Sequence, residues 1–185
     1  MLRVAWPEAT SIGLCSRSIW TNLLDVHRNL SKTDKLCGIA HHSPRKIRCI
    51  LMYPPETVIA EKFEAMIRFG EANSRTKDFH DIWLTSRTFA FELPNLIEAI
   101  SGTLRQRGTD FPTEIPIGLT EPYATIVDER GLWRGFLRIT TPTPTPPPFR
   151  QLQEELRRFF TPVINALYAP EGAKGQWDPA GGQWR

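Results

Sequence analysis

Lys62 stands at a position that is difficult to explain by folding alone. Residues of an α-helix advance by about 100° each, so the apolar residues between Val58 and Phe69 form one stripe, and Lys62 lies inside it. A lysine in such a stripe must extend its ammonium group to the surface, pair with a carboxylate, or point into a polar cleft. The sequence leaves these three alternatives open.

Two carboxylates follow shortly after this lysine. Asp78 and Asp81 are three residues apart on a predicted helix, which places like charges side by side and is mildly unfavourable unless a cation lies nearby. Arg75 precedes Asp78 by three residues, so an ion pair within the helix is the simplest interpretation of those two. Taken alone, the pattern is more typical of a solvated charged edge than of a functional site.

Two amphipathic helices must position these groups. The first is predicted from Glu56 to Phe69, because proline precedes it and Gly70 can adopt the backbone conformation that ends a helix. The second is predicted to follow an N-cap at Asn73 or Ser74, whose side-chain oxygens can accept hydrogen bonds from the free amides of a first turn.

The two helices have distinct polar and apolar faces. The polar face of the first helix is predicted to carry Glu61, Glu64 and Arg68. The apolar faces of both helices are predicted to share one core, which consists of Ile59, Phe63, Met66, Phe79, Ile82 and Trp83.

Two runs in this region are Ala60-Glu61-Lys62 and Ser74-Arg75-Thr76-Lys77-Asp78-Phe79-His80-Asp81. They resemble the third and fourth motifs, AEK and SRxKDxxD, of the AbiEii/AbiGii toxin family, the abortive-infection nucleotidyltransferases of type IV toxin–antitoxin systems. The match combines two motifs, their short separation and a shared hydrophobic frame. The resemblance covers residues 53–107 well and corresponds to the C-terminal portion of the family.

The resemblance implies a toxin that transfers a nucleotide from a nucleoside triphosphate to an RNA acceptor, with tRNA as the acceptor where one is known. It implies that Lys62 contacts the triphosphate and that Asp78 acts as base or orienting group near the attacking hydroxyl. It implies Mg²⁺ and NTP as cofactors, and a cognate antitoxin and RNA (tRNA) as partners. The supporting residues that it implies are Arg75, Lys77, Asp81 and Glu61.

Part of the family's catalytic apparatus has no counterpart in the sequence. Nucleotidyltransferases of this superfamily place a Gly-Ser turn beside a strand with Asp-x-Asp, whose carboxylates hold divalent ions, and neither pattern occurs in these 185 residues. We therefore expect a mainly α fold, the helical part of a nucleotidyltransferase-type α+β fold with its N-terminal catalytic sheet truncated or absent. The alternative function is an inactive remnant that acts only as a protein-binding helical module.

The remainder of the chain is predicted to be mostly helical. A third amphipathic helix should end at Gly108, and a fourth should span residues 122–137. The Pro-rich run 141–148 is predicted to be an extended spacer that separates two bodies. After it, residues 149–169 form a C-terminal amphipathic helix that Pro162 should kink or shorten, and residues 170–185 form a disordered tail.

Residues 1–50 form a low-signal segment, which precedes the helical domain assigned to residues 51–140. A short amphipathic helix is predicted near Trp20, a basic loop near Lys46, and at most a small strand at 49–53. The spacing of four further residues matches none of the strong zinc patterns, so no metal site is assigned to Cys37, His41, His42 and Cys49.

Composition sets broad bounds on function. A net charge of +3 is compatible with nucleic-acid binding without being diagnostic of it. Three scattered cysteines fit a reducing cytoplasm better than a disulfide framework, and no apolar run is long enough for a membrane span. We therefore expect a cytoplasmic protein without a membrane partner.

Overall fold

The computed structural model describes residues 53–185 in full and, for residues 37–41 and 48–52, the backbone. The two short segments form an antiparallel hairpin of β1 (Cys37–His41) and β2 (Arg48–Met52), in which Cys37 pairs with Met52. The predicted helix near Trp20 and the basic loop near Lys46 lie outside the described residues, as do the side chains that raised the question of zinc.

Six α-helices make up most of the described chain, which confirms the mainly α fold. They are α1 (Pro55–Phe69), α2 (Thr76–Thr88), α3 (Leu93–Arg107), α4 (Glu121–Glu129), α5 (Leu132–Thr140) and α6 (Phe149–Ala166). Short 3-10 turns occur at Gly70–Ala72 and Ile117–Leu119. Among residues 53–185, no helix combines the length and apolar character needed to cross a membrane.

One buried core holds these helices together. α1 packs along α3, and α2 packs along α6. The rings of Phe63 and Phe160 stack with their centroids 4.3 Å apart, which connects α1 to α6. The predicted shared core is confirmed, because one buried cluster contains all of its members, Ile59, Phe63, Met66, Phe79, Ile82 and Trp83.

The start of α2 differs from the prediction. Its N-cap is Arg75, which makes no side-chain capping bond, and not Asn73 or Ser74. The Oδ1 atom of Asn73 instead accepts a hydrogen bond from the backbone N–H of Arg75 at 2.9 Å, and the N–H of Asn73 donates to the Gly70 carbonyl. Asn73 therefore turns the chain between α1 and α2, a role that asparagine performs as readily as capping.

The single helix predicted over residues 122–137 is wrong, because the chain forms two helices there. α4 ends at Glu129 and α5 begins at Leu132, and Gly131 between them has a φ of 64°. Glycine populates this left-handed region without the steric penalty that a Cβ brings. The break redirects α5 so that Trp133 enters the core beside Phe149, with ring centroids 5.5 Å apart.

The final helix belongs to the same core as the others. Residues 141–148 contain neither helix nor strand, as predicted, yet α6 beyond them buries Phe149, Phe159 and Phe160 in the common cluster. The Pro-rich run therefore connects two parts of one core and does not separate two bodies. α6 continues through Pro162 to Ala166.

The tail was predicted to be disordered, and this is wrong. Strands β3 (Phe91–Glu92), β4 (Gln176–Asp178) and β5 (Gln183–Trp184) form a small antiparallel sheet in that order. Trp177 is buried and donates its indole N–H to the Ser86 carbonyl at 2.7 Å. Two tryptophans that bury large aromatic surfaces outweigh the Gly/Pro/Gln composition that suggested disorder.

Candidate functional site

The ammonium group of Lys62 joins α1 to α2. Its Nζ donates a hydrogen bond to Oδ1 of Asp78 at 2.7 Å and lies 3.0 Å from Oδ2 of Asp81. Lys62 thus supplies the cation that the two neighbouring carboxylates require. Of the three alternatives that the sequence leaves open for Lys62, the structure has the ion pair, and Asp78 is one of its two partners.

Asp81 is the buried member of this group, with a side chain that is 3% exposed. It also accepts a hydrogen bond from Nζ of Lys77 at 2.6 Å, and Nδ1 of His80 lies 3.6 Å from its other oxygen. Burial raises the pKa of the Asp81 carboxyl. The interaction with His80 and the charges of Lys62 and Lys77 lower it by more, so that the pKa is about 2. Asp81 is therefore a fixed anion at neutral pH.

The charge state of Lys62 is equally well defined. Burial lowers the pKa of its ammonium group, whereas the carboxylates of Asp81 and Asp78 raise it, and the net effect places the pKa above its usual value of 10.5. Lys62 is therefore protonated throughout the physiological range. Its side chain keeps 18% of its surface exposed, so the ammonium group is shielded without being sealed from solvent.

Asp78 is the more accessible of the two carboxylates. Its side chain is 16% exposed, and its Oδ1 is the atom that Lys62 contacts. Because Asp81 is almost completely enclosed, Asp78 is the carboxylate of the two that an incoming ligand can approach. We call Lys62, Lys77, Asp78 and Asp81 the Lys62 cluster.

Tyr123 of α4 packs against the start of α2, where its ring stacks on that of Phe79 with centroids 5.3 Å apart. It is fully buried, and its hydroxyl donates a hydrogen bond to the Asn73 carbonyl at 2.8 Å. Burial raises the pKa of the Tyr123 phenol, Arg130 lowers it and Asp78 raises it, with a net value of about 12. Tyr123 therefore stays protonated at neutral pH and holds the turn before α2.

Two of the supporting residues lie apart from the cluster. Arg75 is exposed, and its guanidinium group lies 4.9 Å from the centre of the Phe69 ring. Within residues 53–185 it forms no ion pair, so the expected Arg75–Asp78 pair is wrong. Glu61 faces Arg107 at 3.5 Å, near the end of α3. The structure therefore groups Lys62, Asp78, Asp81 and Lys77, and leaves Arg75 and Glu61 outside.

Glu64 was predicted on the polar face of α1, and this is wrong, because it is fully buried. Its carboxylate accepts a hydrogen bond from the Thr109 hydroxyl at 2.8 Å and lies 3.4 Å from both Arg68 and Arg107. Helical spacing assigns Glu64 to the side away from the core stripe. The sequence carries no signal that α3 covers this side as well.

His80 is a second residue that sequence reasoning missed. It is buried between aromatic rings, 5.9 Å from Trp83 and 5.3 Å from Phe136 between ring centroids. Its Nε2 has no hydrogen-bond partner within the described part of the chain. It stands at a variable position of the SRxKDxxD pattern, so the resemblance gave no reason to single it out.

The described residues do not fit a resident magnesium ion. Magnesium takes oxygen ligands in octahedral geometry, usually carboxylates together with substrate phosphates. Within residues 53–185, no group of three or more His, Cys, Asp or Glu side chains could hold a metal ion. Asp78 and Asp81 are instead neutralised by lysines.

A cleft of about 40 Å³ lies elsewhere, between the end of α2 and the tail sheet. Its lining includes Arg87, Glu155 and Trp177. This volume accommodates ordered water and not a nucleotide, since ligand pockets are several times larger. We therefore place the candidate site at the Lys62 cluster, where the charged groups converge.

Comparison with known proteins supports the same region of the chain. A family model described as the nucleotidyl transferase AbiEii toxin of a type IV toxin–antitoxin system matches residues 38–155, which is more than half of the chain. The matched range contains the whole Lys62 cluster. No curated protein and no solved structure is significantly similar to the chain.

Proposed function

The chain belongs to the nucleotidyl transferase AbiEii toxin family of type IV toxin–antitoxin systems, and from this premise we propose that it takes part in transferring a nucleotide from an NTP to RNA. The acceptor that we propose is tRNA, and the compartment is the cytoplasm. Family membership also implies a cognate antitoxin as a partner. The observation that carries the proposal is the direct contact of Lys62, the last residue of the first motif, with Asp78 and Asp81 of the second motif.

The two carboxylates suggest a division of roles. Asp81 is held by Lys77 as well as by Lys62, so its charge remains neutralised when the Lys62 ammonium group turns toward a ligand. Lys62 then contacts the triphosphate, where a positive charge offsets the charge that develops on the transferred phosphoryl oxygens. This movement releases Asp78 from its ion pair.

The reaction that we propose is an in-line displacement. An RNA hydroxyl oxygen forms a bond to the α-phosphorus of the NTP, the bond from that phosphorus to the bridging oxygen breaks, and pyrophosphate leaves. Asp78 accepts the proton of the attacking hydroxyl, a role for which its accessibility and freedom from a second lysine suit it. A divalent ion supplies charge neutralisation in this family, and the described residues provide no site for one.

A second candidate function is a helical module that binds the antitoxin without catalysis. It is favoured by the absence of Gly-Ser and Asp-x-Asp from the 185-residue sequence. It is also favoured by the ion pairs of Lys62, which are complete without any ligand. Under this alternative the Lys62 cluster only stabilises the contact between α1 and α2.

Labelled nucleotide transfer separates the two functions. The purified chain is incubated with each α-labelled NTP, magnesium and tRNA, and compared with Lys62→Arg, Lys62→Met and the exposed control Lys174→Met. We expect transfer by the wild type and the control, reduced transfer by Lys62→Arg, and none by Lys62→Met at a temperature where circular dichroism shows it folded. Absence of transfer by the wild type, together with tight binding of its antitoxin, would overturn the catalytic proposal.

A further inference from the structure

Three arginines form an exposed row beside the candidate site. Arg130 follows the last residue of α4, and Arg134 and Arg138 lie four residues apart on one side of α5. All three are exposed, and within residues 53–185 none of them forms an ion pair. We call these residues the arginine stripe.

Six of the twelve arginines in residues 53–185 form no ion pair with a carboxylate, and the stripe contains three of these six. No Asp or Glu occurs in the sequence between Glu129 and Glu154. Other arginines do pair with carboxylates, and these are Arg68, Arg87, Arg107, Arg150, Arg157 and Arg185. Positive charge left unneutralised along one surface is typical of a surface that receives an anionic partner.

The core fixes the helix that carries the stripe. Trp133 is buried, and its ring stacks on Phe136 with centroids 5.2 Å apart. These contacts hold α5 against the core, so Arg134 and Arg138 are carried by a helix of fixed position.

The helix that carries Arg134 and Arg138 packs against α2, which carries Asp78 and Asp81. The ring of Phe136 on α5 lies 5.3 Å from that of His80, whose Nδ1 is 3.6 Å from Asp81. A chain-like anion along α5 would therefore run beside the helix that carries the cluster.

We propose that the arginine stripe binds the phosphate backbone of the RNA acceptor and directs its reacting end toward Lys62 and Asp78. This inference rests on the proposed function. Arg134 and Arg138 are separated by about 6 Å along the helix axis, a spacing that suits successive phosphates of an extended strand. Guanidinium groups bind phosphate through paired N–H donors.

The surroundings of the stripe favour a nucleic acid over an acidic protein. Protein interfaces have an apolar centre surrounded by polar residues. The exposed apolar side chain on this helix, Ile139, is turned by about 100° from Arg138 and lies off the stripe. The stripe itself is therefore a track of charges without an apolar anchor.

Salt-dependent RNA binding tests the proposal. The variant Arg130→Ala/Arg134→Ala/Arg138→Ala is compared with a control that removes the same charge from other exposed positions, which are Arg105, Arg157 and Arg158. Fluorescence anisotropy with a labelled single-stranded RNA is measured over a series of salt concentrations. A second variant, Arg134→Lys/Arg138→Lys, keeps the charge and guards against a folding defect.

We expect the stripe variant to lose roughly tenfold or more in RNA affinity and about 2 from the slope of log affinity against log salt, because single-stranded contacts contribute about 0.7 each. The control should change less than about twofold, and the lysine variant should keep most of the slope. Equal losses in stripe variant and control, or no loss in either, would overturn the proposal. Intact RNA binding with lost binding of poly-glutamate would assign the stripe to an acidic protein instead.

The outcome is separable from that of the proposed function. Lys62→Met should abolish transfer and leave RNA affinity and its salt slope near wild type. Stripe-dependent RNA binding without any nucleotide transfer would support the stripe and reject the transfer reaction. Transfer activity and RNA affinity that both survive removal of the stripe would reject the stripe alone.

Discussion

Two charge clusters that include residues of α1 have the same arrangement of charges. In the Lys62 cluster, a lysine joins the enclosed Asp81 to the accessible Asp78. In a second group, which we call the Arg107 cluster, Arg107 joins the fully buried Glu64 to the more exposed Glu61. Each cluster thus consists of a cation between a buried and an accessible carboxylate, so this geometry alone does not identify a functional site.

The clusters differ in the distance from the cation to its carboxylates and in the distance from a second cation to the buried carboxylate. Lys62 approaches its carboxylates to 2.7 and 3.0 Å, whereas Arg107 stays 3.4 and 3.5 Å away and is more exposed. Asp81 has Lys77 as a second close cation. Glu64 also has a second cation, but Arg68 lies 3.4 Å away and is about half exposed. The close contact with Lys77 keeps Asp81 neutralised when Lys62 moves to a ligand, and this closeness distinguishes the Lys62 cluster from the Arg107 cluster.

Removing the core between the clusters should have the largest effect. Phe63 is fully buried between Lys62 and Glu64 in sequence and stacks on Phe160. Phe63→Ala should lower the free energy of unfolding by about 3–5 kcal/mol, because it leaves a cavity between α1 and α6. Urea denaturation measures this, and near-wild-type stability would contradict the packing.

Removal of the Lys62 ammonium group comes next. Lys62→Ala leaves Asp78 and Asp81 side by side, with Lys77 as the nearest remaining cation. We expect a loss of about 3 kcal/mol in the free energy of unfolding, at the low end for a broken buried pair because Lys77 compensates in part. A variant as stable as wild type would show that the ion pair contributes nothing to the fold.

Acid should weaken the Lys62 cluster in a defined window. The pKa of Asp81 falls from 3.8 to about 2 on folding, so its contribution is present above about pH 4 and is lost as pH falls toward 2. The loss should amount to about 2 kcal/mol. Asp81→Asn should be less stable at neutral pH, and its free energy of unfolding should fall less steeply between about pH 4 and pH 2 than that of the wild type. An unchanged dependence on pH would contradict the pKa assignment.

The Arg107 cluster should give the smallest effect. Glu64→Gln keeps the side-chain shape, and both of its arginine partners are partly exposed and can be rehydrated. We expect a loss of about 1–2 kcal/mol in the free energy of unfolding, which thermal denaturation would detect. Nucleotide transfer should be retained, and its disappearance in a folded variant would remove the distinction between the clusters.

The sequence predicts the Lys62 cluster better than it predicts the Arg107 cluster. Lys62 could be singled out because it interrupts an apolar stripe, and Asp78 and Asp81 follow it closely in the sequence. Glu64 fits an ordinary polar helix face, and only the packing of α3 against α1 buries it. Helix periodicity reports one buried face and cannot report a second partner helix.

The fold shows the same division between local and tertiary signals. The ends of α1 and α3 could be predicted, because proline and glycine at those positions act through local backbone geometry. The break at Gly131 and the ordering of Trp177 depend on contacts with distant residues, which local composition does not encode. The turn made by Asn73 was missed because asparagine suits turns and caps equally.

The most direct test of the central claim compares two Asp→Asn variants for nucleotide transfer to RNA at neutral pH. Asp78→Asn removes the accessible carboxylate of the Lys62 cluster, and Asp128→Asn removes an exposed carboxylate that pairs with Arg150. Both should remain folded, and transfer should be lost in Asp78→Asn and kept in Asp128→Asn. Wild-type transfer by a folded Asp78→Asn variant would contradict the assignment of Asp78 as the group that accepts the proton.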